Sequence, residues 1–409
     1  MKTDVIVVGG GPAGMFAAIT AAQQGSKVLL LEANDRLGKK LLITGKGRCN
    51  VTNNCSAAEV LQNVPRNGRF LYSAMEHCDP AFVMDFFEKN GCKLKTERGN
   101  RVFPVTDKSG SVLECLRNVM HKHAVTVCSE RVLGLLWDDG RITGVKTASR
   151  TLSCDRVILA TGGLSYPATG STGDGYKMAA ALGHTIVPAE GSLVPLETVG
   201  ADHLEMQGLS LRNVGVKLLS EKGKVLYKDF GELLFTHFGI SGPTVLSASA
   251  HLKGKNCKLI IDLKPALDEG KLNDRLLRDL ETYKNRSMEN ALFDLLPRSM
   301  IPVVLRRCDI DPVMQANSLR KEQRRALTQC LKSFEMVIAG KRPVEEAIIT
   351  SGGVKVSEID PKTMESKIVS GLFFAGEIID CDAYTGGFNL QIAWATAYAA
   401  GKSVIDKQS

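Results

Sequence analysis

Residues Val5 to Glu32 read V-I-V-V-G-G-G-P-A-G-M-F-A-A-I-T-A-A-Q-Q-G-S-K-V-L-L-L-E, and this stretch decides the fold. Val5–Val8 is a β-branched run with no polar alternation, the pattern of a strand buried on both faces. It stops at three glycines, of which Gly9 and Gly11, with Gly14, spell G-x-G-x-x-G. Met15 to Gln24 has helical composition, and Gly25 stands where a helix C-terminal stop belongs. Val28 to Leu31 makes a second buried strand, ending at Glu32. A dinucleotide asks for glycine in the tight turn, bare backbone at the pyrophosphate, a helix N-terminus facing negative charge and a carboxylate for the ribose. All four demands are met here. The glycine pattern alone is weak, but its place between a strand and a helix makes it specific. Glu32 implies a free ribose 2'-hydroxyl, which suits NAD or FAD better than NADP.

The chain has 409 residues, enough for two or three domains, and 44% hydrophobic with 23% charged residues is an ordinary globular composition. Disorder, collagen and low-complexity classes are excluded. Its net charge of +8 is spread along the sequence, so nucleic acid is an improbable partner and a small-molecule substrate the expected one. Eleven cysteines without any C-x-x-C suggest neither a disulfide framework nor a zinc site. The first apolar run breaks at Gly9, too short for a signal segment, and no later run reaches the ~18 residues of a membrane span. A reducing cytoplasm is the expected location, and no metal is expected. Oligomeric state is not legible.

Asp155 to Ala160 reads as another strand arriving at Thr161-Gly162-Gly163, and Gly371 to Ala375 as one more, ending in Gly376-Glu377. Gly386-Gly387-Phe388-Asn389-Leu390-Gln391 then opens a helix of small residues running to Gly401. D-V-I-V-V-G-G-G-P-A-G, A-T-G-G and L-F-F-A-G-E resemble the FAD-binding segments of the glutathione-reductase-like flavoproteins. I-T-G-K-G-R-C-N-V-T-N (Ile43 to Asn53), F-T-H-F-G-I-S-G-P (Phe235 to Pro243) and T-G-G-F-N-L-Q (Thr385 to Gln391) resemble, more narrowly, the BaiN/YhiN-like flavoproteins, also called the aminoacetone-oxidase family. The resemblance covers almost the whole chain.

The resemblance implies non-covalent FAD. Gly9, Gly11, Pro12, Ala13 and Gly14 would follow the pyrophosphate, Glu32 with Ala33 the adenosine ribose, and Val132 the adenine. Ala160, Thr161 and Gly162 would line the middle of the cofactor, and Gly376 and Glu377 the ribityl chain. Gly387, Asn389, Leu390 and Gln391 would meet the flavin, where a helix N-terminus favours the negative charge of the reduced ring. Gly45, Arg48, Cys49 and Asn50 form a glycine-rich basic loop expected on the flavin side.

Two halves of one site more than three hundred residues apart require a discontinuous domain. The expected architecture is α/β: a Rossmann-like FAD-binding domain of residues 1–188 and 341–409, with an inserted domain of residues 189–340. Short segments at Val214 to Leu219, Lys224 to Tyr227, Glu232 to Phe235 and Lys258 to Leu263 predict a small antiparallel sheet or barrel, and Leu at helical spacing after Asp268 and Arg320 predicts helices behind it. The insert is expected to cover the flavin and select the substrate.

No nucleophile and base stand at a fixed spacing, so the catalytic residue is unassigned; Tyr166, His237 and Tyr384 are weak candidates for a proton donor. Cys49 and Cys55 are one residue further apart than the pair of the flavin disulfide reductases, and structural thiols are the expected reading. The resemblance implies an FAD-dependent oxidoreductase using NAD(P)H to reduce an activated C=C bond of an enone-like, steroid or bile-acid-type molecule. An oxidase of small aminoketones, a tRNA-modifying flavoprotein and a flavin redox sensor are the alternatives.

Overall fold

Strands built almost wholly of apolar residues cannot leave either face in water, and Val5–Val8, Val28–Glu32, Val157–Leu159 and Leu372–Phe374 are buried throughout. The computed structural model, which describes residues 3–405 apart from 253 and 255, places them in one five-stranded sheet. From edge to edge the order is Leu372–Phe374, Val157–Leu159, Val5–Val8, Val28–Glu32 and Thr126–Ser129, with every neighbouring pair parallel. The chain divides into two units, residues 1–192 with 344–409 and residues 193–343. The sheet belongs to the first.

Two helices pack together in that unit. Pro12–Gln23 follows the glycine turn with proline in its first turn, where a missing N–H costs nothing, and Phe388–Ser403 is the last helix of the chain. Both present alanines, and a Cβ on Gly401 would lie 2.7 Å from the Ala17 carbonyl oxygen, so the two helices meet almost backbone to backbone. Phe16 and Trp394 fill the space beside them, their rings 5.4 Å apart. Around this core lie two three-stranded antiparallel sheets and the pair Ile186–Ser192 with Ile349–Val354.

The second unit is a closed antiparallel barrel of six strands, Leu196–Thr198, Gly239–Ser241, Val225–Thr236, Ser210–Leu219, Lys258–Asp262 and Phe334–Lys341 in order around it. The α/β class with a Rossmann-like domain and a barrel-like insert is therefore the architecture observed. One element differs from expectation. Lys224 to Tyr227 and Glu232 to Phe235 are parts of a single strand, because Asp229, Phe230 and Gly231, which look like a turn, pair with Val216, Gly215 and Val214 across the ladder. The helices Glu269–Thr282 and Lys321–Lys332 bury Leu272, Leu276 and Leu280, and Leu327 and Leu331. Asp268 caps the first of them, accepting from the Lys271 amide at 2.8 Å.

The glycine turn owes its geometry to two missing side chains. A Cβ on Gly14 would stand 1.8 Å from the Gly9 carbonyl oxygen, and one on Gly9, whose φ is +106°, would stand 2.5 Å from that of Ala160. Both obstacles are backbone and cannot swing aside. Gly14→Ala is accordingly expected to cost about 3 kcal/mol or more through overpacking; thermal unfolding should show a Tm lower by several degrees, and an unchanged Tm would contradict the close approach.

Candidate active site

A cleft of ≈ 380 Å³ opens along the carboxyl ends of the parallel strands, entirely within the first unit. Ligands of doubly wound sheets bind at that edge. The glycine turn forms its floor through Gly9, Gly10, Gly11, Pro12 and Ala13. Gly11 lines the cleft with nothing within 4 Å of where its Cβ would be, so the turn presents bare backbone to open space at the start of the Pro12–Gln23 helix. That is room for a pyrophosphate beside a helix N-terminus.

Glu32 marks one end. Its Oε2 accepts from the Gly10 amide at 2.6 Å, and its Oε1 accepts from the Asn34 amide at 2.8 Å and from Asn34 Nδ2 at 2.6 Å. A carboxylate offers about four lone-pair positions. Three are taken, and one remains on Oε2 for a ribose hydroxyl. Ala33, Glu130, Arg131 and Val132 complete this end. Glu130 is held well below the usual carboxylate range, at about 2, by the Cys128 thiol and the Arg150 guanidinium that donate to it. Arg131 pairs with Asp174.

Glu377 lies further along. Its Oε2 meets Lys40 Nζ at 2.6 Å, while its Oε1 accepts from Ser165 Oγ at 2.8 Å and the Thr350 amide at 2.9 Å. Lys40 Nζ also donates to Ser165 Oγ at 2.6 Å. Three other segments of chain thus converge on one carboxylate, which again keeps one lone-pair position for a ligand hydroxyl. Ala160, Thr161 and Gly162 line the middle of the cleft, and the buried Thr161 Oγ1 has no hydrogen-bond partner in the protein. Asn389, Leu390, Ile392 and Ala393, from the start of the last helix, form the remaining wall with Ala375, Cys381, Ile348 and Ile349. The amide of Asn389 is committed, giving to and taking from the backbone of Ala383 at 2.7 and 2.8 Å.

Several expected residues lie behind the wall. Gly14 is a packing residue, as is Gly387, whose Cβ would stand 2.3 Å from the Thr52 carbonyl oxygen. Gly376 adjoins Ala13 and gives its amide to Thr396 Oγ1. Gln391 is 0% exposed and points away from the cleft, bonded to Thr52 Oγ1 and the Cys78 carbonyl at 2.7 Å each, so its side chain is not placed to meet a flavin. Of the basic loop only Thr44 reaches the cleft. Arg48 is stacked 4.1 Å over Phe103 and paired with Glu97 and Asp107, and Asn50 Oδ1 accepts from the Val102 amide. Gly45, Lys46, Gly47 and Cys49 all have positive φ, and none of them lines the cleft. Tyr166 and Tyr384 adjoin the cleft wall without lining it, and His237 is exposed on the barrel unit, in the turn between Val225–Thr236 and Gly239–Ser241.

The residues that sequence reading missed are Asn34, Lys40, Ser165 and Thr350. Lys40 carries a faint signal, as a lysine next to the Gly38 turn that follows Glu32; the hydroxyls carry none, since nothing in their neighbourhood in sequence shows that they meet Glu377.

The glycine turn, the paired carboxylate ends and the cleft at the carboxyl edge of a parallel sheet define an FAD-dependent oxidoreductase of the Rossmann type. Residues 3–403 match the HI0933-like protein Rossmann domain family, and the chain belongs to that family. It is 30% identical over 408 residues to a 3-dehydro-bile acid delta(4,6)-reductase of Clostridium scindens, with 98% of each chain covered. It is 31% identical over 409 residues to a ribosomal RNA dihydrouridine synthase of Escherichia coli, covering 100% of this chain and 99% of the other. A 3-ketosteroid delta1-dehydrogenase from Sterolibacterium denitrificans shares the fold, with a TM-score of 0.51 at 14% identity over 98% of this chain and 99% of that one. The kinship with BaiN-like flavoproteins seen in the sequence motifs is thus a matter of family membership.

Replacing Glu32 by Gln keeps the shape and removes the charge. A charge-assisted hydrogen bond contributes about 1.5–3 kcal/mol, so FAD should be held roughly tenfold to hundredfold more weakly; titration of the apoprotein by flavin fluorescence measures it, and undiminished affinity would contradict the ribose assignment. The thiols yield a second expectation. Burial pushes Cys49 up to about 12 and Cys55 up to about 11, and none of the eleven cysteines forms a disulfide. Iodoacetamide at pH 8 should leave Cys49 unlabelled in the native protein, and Cys49→Ser with Cys55→Ser should retain reducibility of the flavin; labelling at Cys49 would restore the redox-pair reading.

Proposed function

We propose that this chain uses FAD to reduce a carbon–carbon double bond conjugated to a carbonyl, with NAD(P)H as the electron donor and a small enone of the steroid or bile-acid type as substrate. What supports the reading most is the pair of full-length relatives. Their names describe one chemistry on different molecules: a 3-oxo compound with double bonds at positions 4 and 6, and a uridine whose C5=C6 bond is conjugated to its C4 carbonyl. Bound FAD supplies hydride transfer at N5.

The chain's own residues supply position and field. Glu32 would take the ribose through its one free lone-pair site, and the bare backbone at Gly11 with the first amides of Pro12–Gln23 would take the pyrophosphate. Glu377, fixed by Lys40 and Ser165, would take a ribityl hydroxyl. The start of the 16-residue helix Phe388–Ser403 lies along the cleft through Asn389 and Leu390, where its positive end favours the charge a reduced ring acquires. Ile348, Ile349, Leu390 and Ile392 make that part of the wall apolar. Substrate selection by the barrel unit belongs to the same proposal. Substitutions at His237 or Phe238 would then change substrate parameters and leave FAD content alone.

A second reading, uridine in RNA, is favoured by one observation besides the second relative. Residues 193–343 carry 24 Lys and Arg against 18 Asp and Glu, which is +6 of the chain's +8. Affinity for RNA through several phosphates falls steeply with salt, by roughly 10³-fold between about 50 and 200 mM for six contacts.

The test is anaerobic reduction of the yellow protein by NADH or NADPH in a stopped-flow instrument, followed by mixing with a steroid 4,6-dien-3-one, a uridine-rich ribosomal RNA fragment, or oxygen. Fast reoxidation by the dienone with slow reoxidation by oxygen is the expected result. Preference for the RNA, with that salt dependence, selects the second reading. Reoxidation fastest with oxygen refutes both and leaves an oxidase.

A further inference from the structure

Asn34 lies two residues past Glu32, and its side chain joins two walls of the cleft that are 135 residues apart in sequence. Its Nδ2 donates to Glu32 Oε1 at 2.6 Å and to the Thr169 carbonyl at 3.2 Å. The asparagine is itself braced: Lys39 Nζ donates to its Oδ1 at 3.1 Å, and Ser129 Oγ to its carbonyl at 2.8 Å. Across the cleft, Pro167 to Thr172 form the facing wall. That segment is a tight turn with little else to hold it. Tyr166 at φ 55° and Gly170 at φ 102° are both left-handed, and the other hydrogen bonds of Pro167, Thr169 and Gly170 stay inside the turn. Pro167, Ala168 and Gly170 are exposed. A side chain bonded at once to the ribose carboxylate and to this turn couples the two.

We propose that Asn34 is a positioning residue that latches the turn from Tyr166 to Ser171 across the adenosine end of the cleft, so that FAD leaves only when the latch opens. The proposal rests on the FAD reading above. The latch acts on release, because the turn cannot move off the adenosine end until the hydrogen bond from Asn34 Nδ2 to the Thr169 carbonyl gives way.

Two variants probe the latch. Asn34→Ala removes the donor, and Asn34→Ser keeps a polar side chain too short to reach the Thr169 carbonyl. Release of FAD from the holoprotein is followed by recovery of flavin fluorescence on dilution, and amide hydrogen exchange of residues 166–172 is read on the same holoprotein. Release about tenfold faster in each variant is expected, with faster exchange confined to the turn. Unchanged release, or faster release with unchanged exchange in the turn, would each overturn the latch. Should Asn34→Ala fail to fold, Asn34→Ser decides by the same two readouts. A wild-type chain that captures no FAD overturns the cofactor reading itself, and the latch with it; a wild-type chain that does, with Asn34→Ala indistinguishable from it, overturns the latch alone.

Discussion

The contact between Gly14 and the Gly9 carbonyl is the constraint from which the site follows. With no Cβ at position 14, the helix Pro12–Gln23 starts directly against the end of the first strand; any side chain would lie 1.8 Å from a backbone oxygen. Gly9 in turn fits under the Ala160 carbonyl only because it is bare. The strands Val5–Val8 and Val157–Leu159 are thereby brought together just beyond their last paired residues, and the open backbone at Gly11 is left facing the cleft. The three glycines therefore have two kinds of reason: Gly9 and Gly14 are dictated by packing within the protein, and Gly11 by space for a ligand.

Placing carboxylates beside that backbone carries a cost, because a charge taken out of water needs partners. Glu32 and Glu377 meet the cost in different ways. Among the described residues no cation pairs with Glu32; three N–H donors hold it, one of them from the glycine turn itself. Glu377 has the Lys40 ammonium, and the side chains of the pair are only 19% and 13% exposed. In each case the donors fix the rotamer and leave one acceptor position open, so a ligand meets an aimed group and loses little entropy in ordering it. The two ends also differ in what holds them. Glu32 depends on residues near it in sequence, whereas Glu377 depends on Lys40, Ser165 and Thr350, which come from three other parts of the chain.

The barrel unit has a core of its own, built from Leu, Ile and Val of the strands with the leucines of two capped or amphipathic helices. The cleft draws no residue from it. Every residue that lines the cleft therefore lies within residues 1–192 and 344–409, while the barrel unit carries most of the chain's net positive charge. The FAD-binding chemistry and the net charge of +6 on residues 193–343 can thus be read independently.

Sequence alone determined the parallel sheet, the glycine turn, Glu32, the far glycine and glutamate, and the barrel-like insert. Each is written in a local pattern: an apolar run stopping at glycine, alternation in short strands, an acid at a strand end. What the tertiary structure decided is which neighbours in those motifs face the cleft. Asn389 and Leu390 line it and Gln391 does not, because one further step along a helix turns a side chain by about 100° toward Thr52 and Cys78. Gly45, Arg48, Cys49 and Asn50 sit in a motif as distinctive as any in the chain, yet left-handed backbone and the stack on Phe103 commit them to holding a small sheet. Asn34, Ser165 and Thr350 were silent, and Lys40 nearly so, for the opposite reason. Their roles are hydrogen bonds to partners 27 to 337 residues away or to a turn with no pattern of its own, and only the folded chain brings those atoms within 3.2 Å.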